Sequence, residues 1–189
     1  PGLCARCADN LDGAGETHAT GRFEQCQTKL EEIKHGRSLS AMKGKAVLIL
    51  HGLASNRSSC EPLARYLQEQ GGYAAFCLTY PSLFEDVAGS ATSLASVVRN
   101  LHGIEEINFV AHSLGNLVIR HYLGDQTDKT SGRRPDPRIQ RIVMIAPPNH
   151  GSAIARSADV EWHDNRYLGK TVEQLGHQWP KLAPKLAVP

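Results

Sequence analysis

Apolar positions fall into a regular pattern only after the first forty residues. Residues 46–50 (AVLIL) form an unbroken apolar run, as expected of a strand covered on both faces. The run breaks at His51-Gly52-Leu53-Ala54-Ser55-Asn56. A helix is predicted next. Ser58 and Glu61 are spaced as a capping box, Pro62 sits in the first turn, Leu63, Tyr66 and Leu67 share a face, and Gly71-Gly72 ends it. Residues 73–80 (YAAFCLTY) predict a second strand stopped by Pro81, and Leu94, Val97, Val98 and Leu101 mark a helix over 89–101. Residues 107–111 predict a third strand. A helix carrying Leu117, Val118, Tyr122 and Leu123 and closed by Gly124 follows it, then a polar loop over 125–138 and a fourth strand over 139–145. The order β-α-β-α-β-α-β predicts an α/β fold, a mostly parallel central sheet with helices on both faces. Chemistry in such sheets belongs at the carboxyl ends of the strands.

The flanks are less regular. Residues 1–42 are polar and Gly-rich, with a short strand expected over 22–26 and a helical turn over 30–33. They are expected to be an N-terminal extension, either an edge hairpin or partly disordered. Residues 153–189 read as helical or irregular.

Charge and composition narrow the function classes. With 21 basic and 19 acidic residues the net charge is +2, which points to neither a nucleic-acid surface nor a polybasic membrane anchor. No apolar run is long enough to cross a membrane, and no signal-peptide pattern opens the chain. The chain starts with Pro1, so the expectation is that this is not the natural start, and the compartment stays open. Five cysteines are present. Cys60 and Cys77 fall in core-like patterns and read as small buried hydrophobes. Cys4-x-x-Cys7, with His18 and Cys26 as distant candidates, would be half of a zinc site. No second tight ligand pair accompanies it, so free thiols or one local disulfide are expected, and no metal.

The chemistry centres on residues 106–120, where the third strand passes through Ala111-His112-Ser113-Leu114-Gly115 directly into a helix. A serine flanked by small residues two positions either side marks a strand–turn–helix nucleophile elbow. Bulk at Ala111 or Gly115 would clash where strand and helix close together. The plainer alternative is a buried serine in an ordinary turn. Two backbone N–H groups must face a developing oxyanion in acyl transfer. The candidates are those of Leu114, which opens the helix, and Leu53, beside which Gly52 lets the backbone bend. His51 is expected to hold that turn by hydrogen bonds. His112 is expected to point away from Ser113. Residues 148–152 are expected to shape the mouth of the site.

Three motifs, Leu50-His51-Gly52-Leu53, Ala111-His112-Ser113-Leu114-Gly115 and Ala146-Pro147-Pro148-Asn149-His150-Gly151-Ser152, together resemble the α/β-hydrolase superfamily in its bacterial lipase and serine-esterase branch. The resemblance covers residues 43–157 and implies a hydrolase domain over 43–189. It implies that Ser113 attacks a carboxylic, lipid-type ester, that the Leu53 and Leu114 amides hold the oxyanion, and that water cleaves the acyl-enzyme. It implies no cofactor, and as partner a small ester or lipid substrate; oligomeric state stays open. The family's acid and histidine follow two further strands, and none is read after Ile145. Asp159, Glu161 and Asp164 are the acids and His163 and His177 the bases available, and none stands behind a strand. The triad acid and histidine are therefore identified nowhere in this chain. The expectation is a fragment lacking its C-terminal strands, with a degenerate hydrolase as the reading if the chain is complete. An acyltransferase or thioesterase of the same fold and a non-catalytic binding protein are the alternatives.

Overall fold

A computed structural model describes residues 5–8, 17–21, 23–36, 42–127, 136–161 and 169–187. The chain divides into two compact units, Pro1–Ala41 and Met42–Pro189. The first contains β1 (Ala5–Ala8) and β2 (Thr17–Gly21), an antiparallel pair, and α1 (Phe23–Gly36). The strand expected over 22–26 is therefore replaced by the first turn of a 14-residue helix. Glu, Gln, Lys and Leu, good helix formers, dominate the window from Glu24 to Lys34 and override the short stretch around Phe23.

In the second unit the order is β3 (Gly44–Leu50), α2 (Glu61–Gly71), β4 (Ala74–Leu78), α3 (Val87–Asn100), β5 (Ile104–His112), α4 (Leu114–Thr127) and β6 (Ile139–Ile145). α5 (Ala153–Glu161), α6 (Lys170–Leu175) and α7 (Trp179–Leu182) follow. The four strands pair in parallel in the order β4-β3-β5-β6. Leu48 lies opposite Phe76 on one side and Phe109 on the other, and Val110 lies opposite Val143.

Alternate residues of each strand face opposite helix layers. Leu48, Leu50, Ile107 and Phe109 pack with Leu94 and Val98 of α3 and Leu117 and Ile119 of α4. Val47, Ile49, Ala75 and Val110 form a second cluster with Cys60 and Ala64 at the start of α2. The chain thus moves outward from β3 to β4 over one face, then crosses to β5 over the other. The strand order reverses between β3 and β5, a topological switch point whose carboxyl end is where open α/β sheets form their binding crevice.

Several local expectations are corrected. Ser58 does not cap α2. Asn56 instead caps a 3-10 turn, Arg57–Ser59, by accepting the Ser58 N–H at 2.9 Å, and α2 starts from Cys60. Tyr66 is 62% exposed and lies off the buried face of α2, whose buried position is Ala64. Gly72, at φ 64°, does end that helix. Gly124 does not end α4, which continues to Thr127. A methyl at 124 would lie 2.2 Å from the Lys185 carbonyl, so glycine there admits the returning C-terminal segment. Arg120 Nε donates to Ala187 O at 2.8 Å, and Ala187 N donates back to Arg120 O at 3.0 Å. The strand expected over 139–145 forms as β6, which pairs with β5 and leaves Ile142, Val143 and Ile145 exposed.

Candidate active site

The carboxyl ends of β3, β5 and β6 carry every non-glycine residue with positive φ among the described residues: Ala54 at 53°, Ser113 at 49° and Ala146 at 45°. A left-handed backbone costs a residue with a side chain about 1–3 kcal/mol, and such strain collects at functional sites. Ser113 is the single residue between the last residue of β5 and the first of α4. Its N–H donates to Ile145 O at 2.9 Å, fixing the turn to the end of β6. Asn116, fully buried in the first turn of α4, donates from Nδ2 to Ser113 O at 3.0 Å and to Ile145 O at 3.1 Å. The turn is therefore fastened to β6 by a main-chain and a side-chain donor on one carbonyl.

Gly115 sits behind Ser113. A Cβ there would lie 2.8 Å from Leu50 Cβ, 2.9 Å from Leu50 O and 3.0 Å from His51 O. Ala111 is fully buried opposite Leu50 and Met144. The small residues flanking Ser113 thus let α4 approach the end of β3. Gly52 meets the turn from the other side: its Cβ would lie 2.9 Å from His112 Nδ1 and 3.3 Å from Ser113 Cβ.

His51 is buried under this loop, with Nδ1 2.8 Å from Gly52 O. A carbonyl only accepts, so Nδ1 is the donor in this contact. Among the described residues Nε2 has no hydrogen-bond partner. Tyr80 covers the imidazole face to face at 4.4 Å and donates its hydroxyl to His51 O at 2.5 Å. Burial pushes the Tyr80 phenol above its usual range, which keeps the donor protonated. Sequence reasoning missed Tyr80 and Asn116. Tyr80 follows β4 at the carboxyl edge, and Asn116 is an amide in the first turn of a helix whose buried positions are mostly apolar; both were available signals.

Gly52, Leu53, His112 and Ser113 line one cavity of about 400 Å³, together with Leu63 and Cys60 of the α2 region. None of its described lining residues carries a fixed charge. The apolar walls make a low-dielectric space in which backbone donors act strongly on a developing charge. Leu114 is buried as the first residue of α4, whose first N–H groups have no acceptor within the helix. Cys77, behind Cys60, is pushed up to about 12, first by burial and then by the Cys60 thiol, so it is no thiolate at neutral pH.

The other candidates are dispersed. His112 is exposed yet lines the same cavity as Ser113. His177 is exposed in the turn between α6 and α7. His163 and Asp164 lie outside the described residues, as do the side chains of Asp159 and Glu161 at the end of α5. Cys4 is likewise outside them, and Cys7, His18 and Cys26 are described in backbone only, on β1, β2 and α1. In the loop after β6, Asn149 Oδ1 accepts from Arg120 Nη1 at 3.0 Å, and Ser152 Oγ accepts from Ala155 N at 3.1 Å to start α5. No helix among the described residues is long and apolar enough to cross a membrane.

A family model described as a domain of unknown function, DUF7379, matches residues 16–184. The chain belongs to the DUF7379 family. No curated protein matches this DUF7379 chain by sequence. Among solved structures, a C6-C4 SN3 inhibited esterase B from Lactobacillus rhamnosis aligns at 19% identity over 78% of this chain and 52% of its own, with a TM-score of 0.54. The tributyrin phosphonate form of that protein aligns at 18% identity over 73% and 50%, TM-score 0.52. Esterase B without inhibitor in its description aligns at 18% over 79% and 54%, TM-score 0.51. At this identity the likeness is one of fold, which is α/β-hydrolase-like in this DUF7379 chain. The chain spans about half the length of these structures.

Proposed function

We propose that the chain is a serine hydrolase of carboxylic esters, with Ser113 as nucleophile and the N–H groups of Leu53 and Leu114 receiving the oxyanion. The observation that carries this reading is the strained conformation of Ser113, φ 49°, at the carboxyl end of β5 beside the switch point of the sheet. A serine there presents Oγ from a sharp turn and is followed immediately by the first amide of a helix, which has no acceptor within that helix. Gly52 and Leu53 on the same cavity supply the opposing backbone. The fold neighbours carry the name esterase, two of them as inhibited forms, which agrees with ester chemistry.

In this reaction Ser113 Oγ bonds to the acyl carbon and the ester C–O bond breaks. The hydroxyl proton leaves with the alcohol, and water then releases the carboxylic acid. The same acyl-enzyme would serve an acyltransferase or thioesterase, which differ in the acceptor or the leaving group. One observation favours a reading outside catalysis. His112 is the one histidine among the described residues lining the cavity, and no carboxylate stands among those lining residues to orient it as a base. A hydrolase-fold binding protein would have this arrangement. A fluorophosphonate probe followed by peptide mass spectrometry separates the two. Covalent labelling at Ser113, absent in Ser113→Ala, is expected; an unlabelled, folded protein would overturn the hydrolase reading.

A further inference from the structure

We infer that the cavity beside Ser113 is an acyl-chain site, taking the saturated chain of a short- or medium-chain carboxylic ester, with Leu63 of α2 setting its depth. This rests on the reading of Ser113 as nucleophile and adds a substrate class to it. The walls come from both central strands and from the segment that follows β3. Ile49 and Val110 belong to the sheet face that packs against α2, and Cys60 and Leu63 stand one turn apart at the start of α2. Ile49 is 2% and Val110 9% exposed, so the sheet side is closed. Of the polar lining groups, Ser55 and Ser59 belong to the connecting segment, where Ser59 is exposed, and His112 and Ser113 belong to the end of β5 and the turn after it.

A mostly apolar wall without Lys, Arg, Asp or Glu offers little to a charged substrate part, and its Ile49, Val110 and Leu63 side excludes water from one side of the reacting carbonyl. The order of bond changes decides which half of the ester belongs there. The alcohol departs when the C–O bond breaks, whereas the acyl group stays bonded to Ser113 Oγ until water attacks. The half held through both steps is the one that gains from a pocket joined to the nucleophile. The volume of about 400 Å³ is near the lower end of the roughly 300–1,000 Å³ of small-molecule pockets, which suits one chain of modest length and not a branched lipid.

The test is a profile of kcat/KM over p-nitrophenyl acetate, butyrate, octanoate and palmitate for the wild-type chain, Leu63→Trp and Leu63→Ala, with the 62%-exposed Tyr66→Ala as control on the same helix. Each methylene buried in the pocket is expected to raise kcat/KM roughly fourfold up to the limit of the cavity. Leu63→Trp should lower octanoate turnover at least tenfold while acetate stays within about twofold, and Leu63→Ala should move the optimum to a longer chain. Folded variants that keep the wild-type profile, or that lose all four esters equally, would overturn the acyl site. Octanoate binding by calorimetry gives an answer that needs no turnover. Binding weakened at least tenfold by Leu63→Trp supports the pocket, and no octanoate binding overturns it. Fluorophosphonate labelling at Ser113 is scored apart from both, so failure of the nucleophile reading is told apart from failure of the acyl site.

Discussion

Replacing Gly115 by alanine probes whether the approach of α4 to the end of β3 sets the geometry at Ser113. The added methyl would lie 2.8 Å from Leu50 Cβ, 2.9 Å from Leu50 O and 3.0 Å from His51 O, against an ordinary contact of 3.4 Å or more. The overlap is therefore 3.4 − 3.0 = 0.4 Å to 3.4 − 2.8 = 0.6 Å. None of these three atoms is the far end of a flexible side chain. Leu50 is held in register between Leu78 and Ala111, and His51 O is held by the Tyr80 hydroxyl. The helix start must give way instead, and with it Ser113 and the Leu114 amide. Overpacking of this kind costs about 1–3 kcal/mol. The better helix propensity of alanine offsets nearly 1 kcal/mol of that. The expected fall in Tm is a few degrees, since each kcal/mol moves Tm by roughly 2–4 °C in a chain of this size. The functional effect is larger, because a displacement approaching 1 Å can cost about 100-fold in rate. The assay is the rate of fluorophosphonate labelling per folded molecule beside thermal denaturation, with Gly124→Ala as comparison. That methyl meets the Lys185 carbonyl one helix end away from Ser113, so it should lower Tm and leave labelling unchanged. Wild-type labelling in Gly115→Ala, or equal losses in the two variants, would refute the reasoning.

Two further outcomes follow from groups outside the motifs. Arg138 donates to Leu101 O at 2.7 Å and Val98 O at 3.0 Å, closing the end of α3, and its Nη2 meets Asp136 Oδ2 at 2.7 Å. Arg138→Leu should cost roughly 2–4 kcal/mol, since hydrogen bonds to charged groups contribute about 1.5–3 kcal/mol each, and lower Tm on the order of 10 °C in circular dichroism melts. The guanidinium hydrogen bonds hold the Asp136 carboxyl below its usual 3.8, so its contribution is complete above that pH and is lost as pH falls through the lowered value. The Tm gap between wild type and Arg138→Leu should narrow below about pH 4; a gap that stays constant down to pH 2 would count against the ion pair. Tyr80→Phe removes the donor to His51 O, costing about 1 kcal/mol of stability. It should lower kcat for p-nitrophenyl butyrate with KM little changed; a change confined to KM would place Tyr80 on substrate binding instead.

The sheet was legible because burial on both faces leaves largely apolar runs. Residues 46–50, apolar throughout, and 107–111, apolar except for Asn108, signal strands without knowledge of their neighbours, and the intervening helical periods fix a parallel order. The Ser113 turn was legible for a steric reason: Ala111 and Gly115 are small where strand, helix and β3 close together. What sequence reasoning missed depends on partners distant in the chain. Tyr80 and His51 are 29 residues apart, and so are Asn116 and Ile145. Gly124 looked like a helix terminator because glycine commonly is one, yet the close pass of residues 185–187 explains it better. Ser58 and Glu61 had capping-box spacing, but Asn56 captured the Ser58 amide first and started a 3-10 turn. At β6 the run IVMI gave type and position correctly; its exposure depends on what lies beside an edge strand, which no local pattern encodes.

The distribution of strain bears on the choice between a catalyst and a binding fold. Elsewhere the second unit uses glycine where the backbone turns left-handed, at Gly44, Gly72, Gly103 and Gly151. Ala54, Ser113 and Ala146 depart from that habit, and all three stand at the carboxyl ends of neighbouring strands. At about 1–3 kcal/mol each, their cost together is a sizeable part of the 5–15 kcal/mol by which a domain is ordinarily stable. Rigid ladders on either side of β3 and β5, the Tyr80–His51 contact and the Asn116 hydrogen bonds hold these residues in place. A turn needed only to connect a strand to a helix would be more stable with glycine at 113. Under the proposed hydrolase reading, a hydroxyl held there at that cost would serve chemistry at Oγ, whereas a passive apolar pocket would not require it. The strain therefore weighs toward the hydrolase reading even though the described lining supplies His112 as its only histidine.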